Sequence, residues 1–103
     1  MMALIYTTTS NKEEAQKIGV TLVKERLAAC SNIITNMNSI YWWEGEIERD
    51  TEAILLLKTL EEKVEKVISR VKEIHSYDNP CIIALPVLNV SDSYLNWLNE
   101  EIK

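Results

Sequence analysis

Chain breakers are scarce: the 103 residues include two glycines (Gly19, Gly45) and two prolines (Pro80, Pro86). Phosphate-cradling loops are thereby excluded, because the dinucleotide fingerprint and the P-loop both need clustered glycines. Two cysteines, Cys30 and Cys81, stand 51 residues apart with no Cys-x-x-Cys, which is neither a disulfide framework nor a zinc finger. The single histidine, His75, leaves no His-x-x-x-His pair for a catalytic metal and one possible base for a serine or cysteine nucleophile. An enzyme is not expected. The longest apolar run, Cys81–Leu88, has eight residues and is broken by Pro86, against roughly 20 for a membrane span. Positive charge is also short, with eleven Lys and Arg against sixteen Asp and Glu and a net charge of −5. Without a basic cluster, neither nucleic acid nor an anionic membrane is a natural partner. Met1–Tyr6 offers no basic flank and no adequate apolar stretch for a secretory signal, so a cytoplasmic chain is expected.

What is present is an ordinary globular balance, 47% apolar and 26% charged, in a length that suits one domain over residues 1–103. Ala3–Thr9 is short, apolar and β-branched, a first strand. Ser10 with Glu13 forms a capping box. A helix then follows to about Ala29, on the stripe Ala15, Ile18, Gly19, Leu22, Arg26 and Ala29, with Glu14, Lys17, Lys24 and Glu25 on its solvated side. Ser31–Glu44 and Glu46–Thr59 are extended runs about Glu44-Gly45, where glycine can supply the positive φ of a tight hairpin. Thr59 with Glu62 reads as a second capping box, and Val64, Val67, Ile68, Val71 and Ile74 stripe a second helix. His75–Pro80 is a loop. Cys81–Leu88 reads as a buried fourth strand, with Pro86 marking an edge or a bulge. Ser91 caps a closing helix with Tyr94, Leu95, Leu98 and Ile102 on its apolar side. The order is an α+β, ferredoxin-like βαββαβ plus a C-terminal helix. Right-handed crossovers give the antiparallel strand order 4-1-3-2.

A strand of about 13 residues spans roughly 43 Å, whereas a domain of this length is about 33 Å across. The hairpin therefore overhangs its own globule and leaves Ile40, Tyr41, Trp42 and Trp43 wet in a monomer. Other copies of the chain are the expected cover, making an obligate homo-oligomer. Trp42 and Trp43 occupy successive positions and face opposite ways, so one can pack in an interface while the other lines a cleft. A stacking platform for nucleic acid would need Lys or Arg beside them, yet the flank is Glu44, Glu46 and Glu48.

Several segments converge at one end of the sheet. The first strand ends there at Thr7–Ser10, His75–Pro80 arrives there, and the fourth strand starts there at Cys81. Imidazole and thiolate suit copper or zinc, so His75 and Cys81 are the metal candidates, with Asp78 as an added oxygen. The structural alternative for His75 is capping of helix carbonyls. Cys30 lies at the opposite end as a small buried residue. Sheet edges about 14 Å apart exceed the ~7 Å Cα limit of a disulfide, so a Cys30–Cys81 bridge is excluded. Lys58 ends a buried strand, and either pairs with a carboxylate or faces a cavity between subunits. Glu44, Glu46, Glu48, Asp50 and Glu52 form a solvated strand face, interprotomer ion pairs or a hard-cation site.

The stretches LVKERLAACSNI, SIYWWEGEIERDTEAILLLKT, HSYDNP, IIALPV and SYLNWL resemble the CutA divalent-cation tolerance proteins from the first strand to the last helix. That resemblance implies a ferredoxin-like protomer in a tight homotrimer whose hairpins continue onto neighbours. It also implies tolerance to copper and other divalent metals, with Cu(II) or another divalent ion weakly held and no organic cofactor. The family's loop pattern His-Pro-Tyr-Glu-x-Pro-Glu is changed here at Ser76, Asp78 and Cys81. Copper-ligand positions of some members fall on Thr7, Ile74 and His75, of which only His75 is a good ligand. The resemblance also favours a cavity between subunits for Lys58, with Tyr77 as its neighbour; Thr7 and Trp43 are the further candidates for that cleft. Because such trimers resemble PII-type signalling proteins, a small-anion sensor using Lys58, His75 and Tyr77 is the second reading. A hydrolase on this fold would need an arginine or a glycine-rich loop after the first strand, and Thr7–Ser10 offers only hydroxyls.

Overall fold

The computed structural model describes all residues from Met1 to Lys103. Its elements are β1 (Met2–Thr9), α1 (Lys12–Lys24), β2 (Cys30–Trp43), β3 (Glu46–Leu60), a 3-10 turn at Glu61–Lys63, α2 (Val64–Ile74), β4 (Ile82–Pro86) and α3 (Asp92–Glu101). The four strands form one antiparallel sheet in the order β2-β3-β1-β4. This is the expected order read from the other edge.

Strand alternation sends successive side chains to opposite faces. On one face Ile5, Ala53, Leu55 and Leu57 pack against Ala15, Ile18 and Leu22 of α1 and Val67 and Val71 of α2, all of them buried. Burying each large aliphatic side chain there contributes about 1.5–3 kcal/mol. On the other face Met2 and Leu60, direct cross-strand partners, meet Leu98 and Ile102, so α3 covers only that end. Gly19 lets α1 approach the sheet: a Cβ there would lie 3.0 Å from the Ser31 Cβ. The Ser31 hydroxyl donates to the Gly19 carbonyl at 2.9 Å.

Local expectations shift in four places. The α1 cap is Asn11, whose side chain accepts from the Glu14 amide at 2.8 Å, while Glu14 itself accepts from the amide and hydroxyl of Ser10. The helix ends at Lys24 rather than near Ala29, because Arg26 takes a left-handed φ of 62°. Its guanidinium donates to the carbonyl and carboxylate of Glu101 at 3.1 and 2.8 Å. Thr59 caps nothing; it is strand, paired with Ala3, and its hydroxyl donates to the Leu27 carbonyl at 2.6 Å. The fourth strand is shorter than expected and largely exposed. It lies at the sheet edge, as Pro86 foretold, and Ile82 is its contact with the main core.

The hairpin is long, as its length required. Glu44 (φ 49°) and Gly45 (φ 82°) make a two-residue turn in which both centres are left-handed. Between Ile34–Ile54 and Met37–Glu52 two β2 residues oppose one of β3, and Asn36 in this bulge has φ 61°. Beyond the bulge the ribbon runs out as an arm, and the molecule extends 46 × 25 × 22 Å. Ile40, Tyr41, Trp42 and Trp43 on it are 62%, 39%, 73% and 60% exposed.

Candidate functional site

The end of β1, the start of α1 and the loop after α2 are joined by one hydrogen-bonded cluster. His75 closes α2, its amide donating to the Val71 carbonyl at 2.9 Å. Its side chain is fully out of solvent. The Nε2 atom lies 2.8 Å from the Thr8 carbonyl, which can only accept, and Nδ1 accepts the Tyr77 amide at 3.1 Å. Those two partners assign the ring proton to Nε2. The Tyr77 ring lies against the imidazole, centroids 4.8 Å apart, and its hydroxyl donates to Glu52 at 2.7 Å.

Glu14, expected on the wet side of its helix, is the hub of the cluster. One carboxylate oxygen accepts from the Ser10 amide and hydroxyl, both at 3.0 Å, and the other from the Ser76 amide at 2.7 Å. Burial alone would push this carboxyl up, but the bonds from Ser76 and Ser10 outweigh it and hold the pKa at about 2. At Tyr77, burial and then the Glu52 acceptor push the phenol well above its usual range. Withdrawal from water, then the Glu52 charge, push the Cys81 thiol up. Cys81 is nonetheless an exposed residue at the rim of this cluster.

The other expected site residues lie elsewhere. Thr7 is not on a cleft wall: it is fully buried on the helix-covered face, and its hydroxyl has no partner. Lys58 does not meet Tyr77. It pairs across the sheet with Leu4 and Cys30, in the half away from Glu52, and its ammonium sits 5.5 Å from the Tyr94 ring centroid. Trp43 pairs with Glu46 at the arm's tip. A single protomer therefore holds no cleft of Lys58, Tyr77, Thr7 and Trp43. Cys30 does lie at the opposite end from Cys81, both are free, and Cys30 is half-buried rather than buried.

No three His, Cys, Asp or Glu side chains converge closely enough to hold a metal ion. Asp50 receives the Tyr41 hydroxyl and Glu52 that of Tyr77. The Asp50 acceptor raises the Tyr41 pKa to about 12. Sequence reasoning missed Glu14, Ser76 and Glu52 as members of the cluster. Only the Ser10–Glu14 half carried a local signal, a cap acceptor close to its donor in sequence. The contacts to Ser76 and Tyr77 span 62 and 25 residues.

Residues 3–101 match the CutA1 divalent ion tolerance protein family. The divalent-cation tolerance protein CutA of Pyrococcus horikoshii is 47% identical over 102 residues, 99% of each chain. The chloroplastic CutA 1 of Oryza sativa is 38% identical over 97% of this chain and 56% of that protein. A solved structure of CutA from Archaeoglobus fulgidus, described as periplasmic, superposes with a TM-score of 0.97 at 41% identity and full coverage of both chains. With the topology and the arm already in place, these likenesses settle the kinship: the chain belongs to the CutA1 divalent ion tolerance family.

Proposed function

We propose that this chain is a non-enzymatic, homotrimeric divalent-cation tolerance protein that binds a copper-type or other divalent ion weakly, at positions completed between protomers. The carrying observation is the arm. It presents Ile40, Trp42, Trp43 and Ile47, each at least half exposed, on a ribbon with a free outer edge. A lone chain would leave this apolar surface and these strand edges in water. The relatives' shared description as divalent-cation tolerance proteins supports the cation. Within the protomer, Cys81 is the accessible soft donor and Asp78 an exposed oxygen donor on the same loop, too few for tight capture. The cytoplasm is the proposed compartment, where two unpaired thiols persist. A small-anion sensor is the less favoured reading, because the family's shared description names a cation and Lys58 could meet His75 and Tyr77 only across protomers.

Sedimentation velocity at low micromolar concentration tests the assembly. The expected species is about 36 kDa, three copies of 11.9 kDa; a folded 11.9 kDa species overturns it. Calorimetric titration with Cu(II) and Zn(II) tests the cation. Saturable heat that weakens several-fold in Cys81→Ser is expected, and absence of heat with either ion rejects the cation reading.

A further inference from the structure

Family resemblance assigns His75 to a metal, but its surroundings do not fit that role. A metal-bound imidazole offers one nitrogen to the ion and donates the other N–H to a carbonyl or carboxylate. His75 has the second half of that arrangement, the Nε2–H bond to the Thr8 carbonyl at 2.8 Å. The lone pair that would face the ion, on Nδ1, is occupied by the Tyr77 amide at 3.1 Å. The ring is wholly buried; the Glu14 carboxylate lies 3.7 Å from Nδ1, already engaged by Ser10 and Ser76, and no third His, Cys, Asp or Glu donor joins the two. The companion positions of the family's ligand set are Thr7, turned into the core, and Ile74.

We infer that His75 is a positioning residue: its imidazole, with Nε2–H on the Thr8 carbonyl and Nδ1 on the Tyr77 amide, pins the segment His75–Tyr77 to β1 and, through Tyr77 and Glu52, grips the root of the arm. Met37 and Glu52 form the first cross-strand pair after the bulge. Each is held by a tyrosine from the body, Tyr6 reaching the Met37 sulfur at 3.7 Å and Tyr77 the Glu52 carboxylate at 2.7 Å. Tyr77 is oriented by its backbone bond to Nδ1 and by the imidazole against its ring. Glu14 secures the intervening residue by accepting the Ser76 amide at 2.7 Å. The histidine therefore acts on the arm's direction, through two side chains, and leaves cation contact to other groups.

Because the chain has one histidine, ring-nitrogen NMR of the intact ¹⁵N-labelled protein reads it without ambiguity. The expected pattern is a fixed Nε2–H tautomer whose two ring resonances stay in place as Zn(II) is added. A Zn(II)-dependent shift of either ring nitrogen, or a mixture of tautomers, overturns the inference. If Zn(II) moves no resonance anywhere in the protein, cation uptake fails as a reading while the tautomer still decides this one. Two variants extend the test. His75→Asn retains an acceptor near Nδ1, and His75→Gln a donor near Nε2. The Tyr77 amide should remain protected from exchange in the first and exchange about 10-fold faster or more in the second. Zn(II) affinity lost in both variants but retained in Tyr77→Phe and Glu14→Gln would mark His75 as a ligand and refute the pinning role.

Discussion

Three threonines on the helix-covered face, Thr7, Thr9 and Thr59, are equally buried but unequal in partners. Thr9 donates to the Asn11 carbonyl at 2.9 Å and Thr59 to that of Leu27 at 2.6 Å, whereas the Thr7 hydroxyl is unpaired. A buried hydroxyl without a partner costs free energy, and replacing a bonded one sacrifices the bond. Thr7→Val is therefore expected to stabilise by about 1 kcal/mol, and Thr9→Val and Thr59→Val to destabilise by about 1–2 kcal/mol. Urea midpoints at one protein concentration and unchanged m-value check this, and a destabilised Thr7→Val would contradict it. Glu14 gives a pH signature. Its folded pKa, about 2, lies below the ordinary 4.5, so its contribution is whole above about pH 5 and is lost as pH falls toward 2. Solvent screening at this partly exposed carboxylate leaves a difference on the order of 1–2 kcal/mol. Glu14→Gln should be less stable than the parent at pH 6, with a gap that closes by about pH 2. A gap that stays constant with pH would mean the carboxylate is not held by Ser10 and Ser76. Little of this shows in the sequence, where Thr7, Thr9 and Thr59 are all strand threonines and only the nearness of Ser10 marks Glu14 out from the charged residues around it.

At the scale of elements, the strands and the apolar stripes of the helices were legible because period and β-branching are local properties. The boundaries that moved were decided by distant residues. Arg26 stops α1 in a conformation that favours glycine, and is held there by Glu101, 75 positions away. Thr59 stays in the sheet because Ala3 pairs with it, which overrides its aptitude as a cap. The exposure of the fourth strand was unreadable for a related reason: an apolar run looks the same whether its cover comes from its own chain or from another. The bulge left only a faint trace, Asn36 directly after the β-branched run Ile33, Ile34 and Thr35 and one of three asparagines in the strand. Asn36 tolerates φ 61° better than most residues. Asn36→Gly should change stability by about 0.5 kcal/mol or less, while Asn36→Val, β-branched and forced left-handed, should cost about 2 kcal/mol. Thermal unfolding of the two variants decides it, and equal melting temperatures would show that the bulge does not need that conformation.

For the molecule as a whole, length arithmetic exposed the arm before any contact was known, since a strand of about 13 residues spans roughly 43 Å and overhangs a globule about 33 Å across; the strands have 14 and 15 residues and the molecule is 46 Å long. Its tryptophans belong to neither core cluster, so their removal should leave the protomer's own packing intact. They also face opposite ways, Trp42 paired with Ile47 and Trp43 with Glu46, so an assembly that dries both must grip the ribbon from two sides. In the proposed trimer each tryptophan is a large buried anchor, and truncating one costs about 2–4 kcal/mol of association, roughly 30- to 1,000-fold. The variant Trp42→Ser/Trp43→Ser is therefore expected to run as a folded monomer at low micromolar concentration. Its melting temperature should fall below the parent's and depend on concentration only weakly. Retention of the parent's sedimentation and melting behaviour would mean that the arm is not what joins the copies. The free β4 edge and the uncovered end of the sheet beside Ile83 and Leu85 would then have to do so.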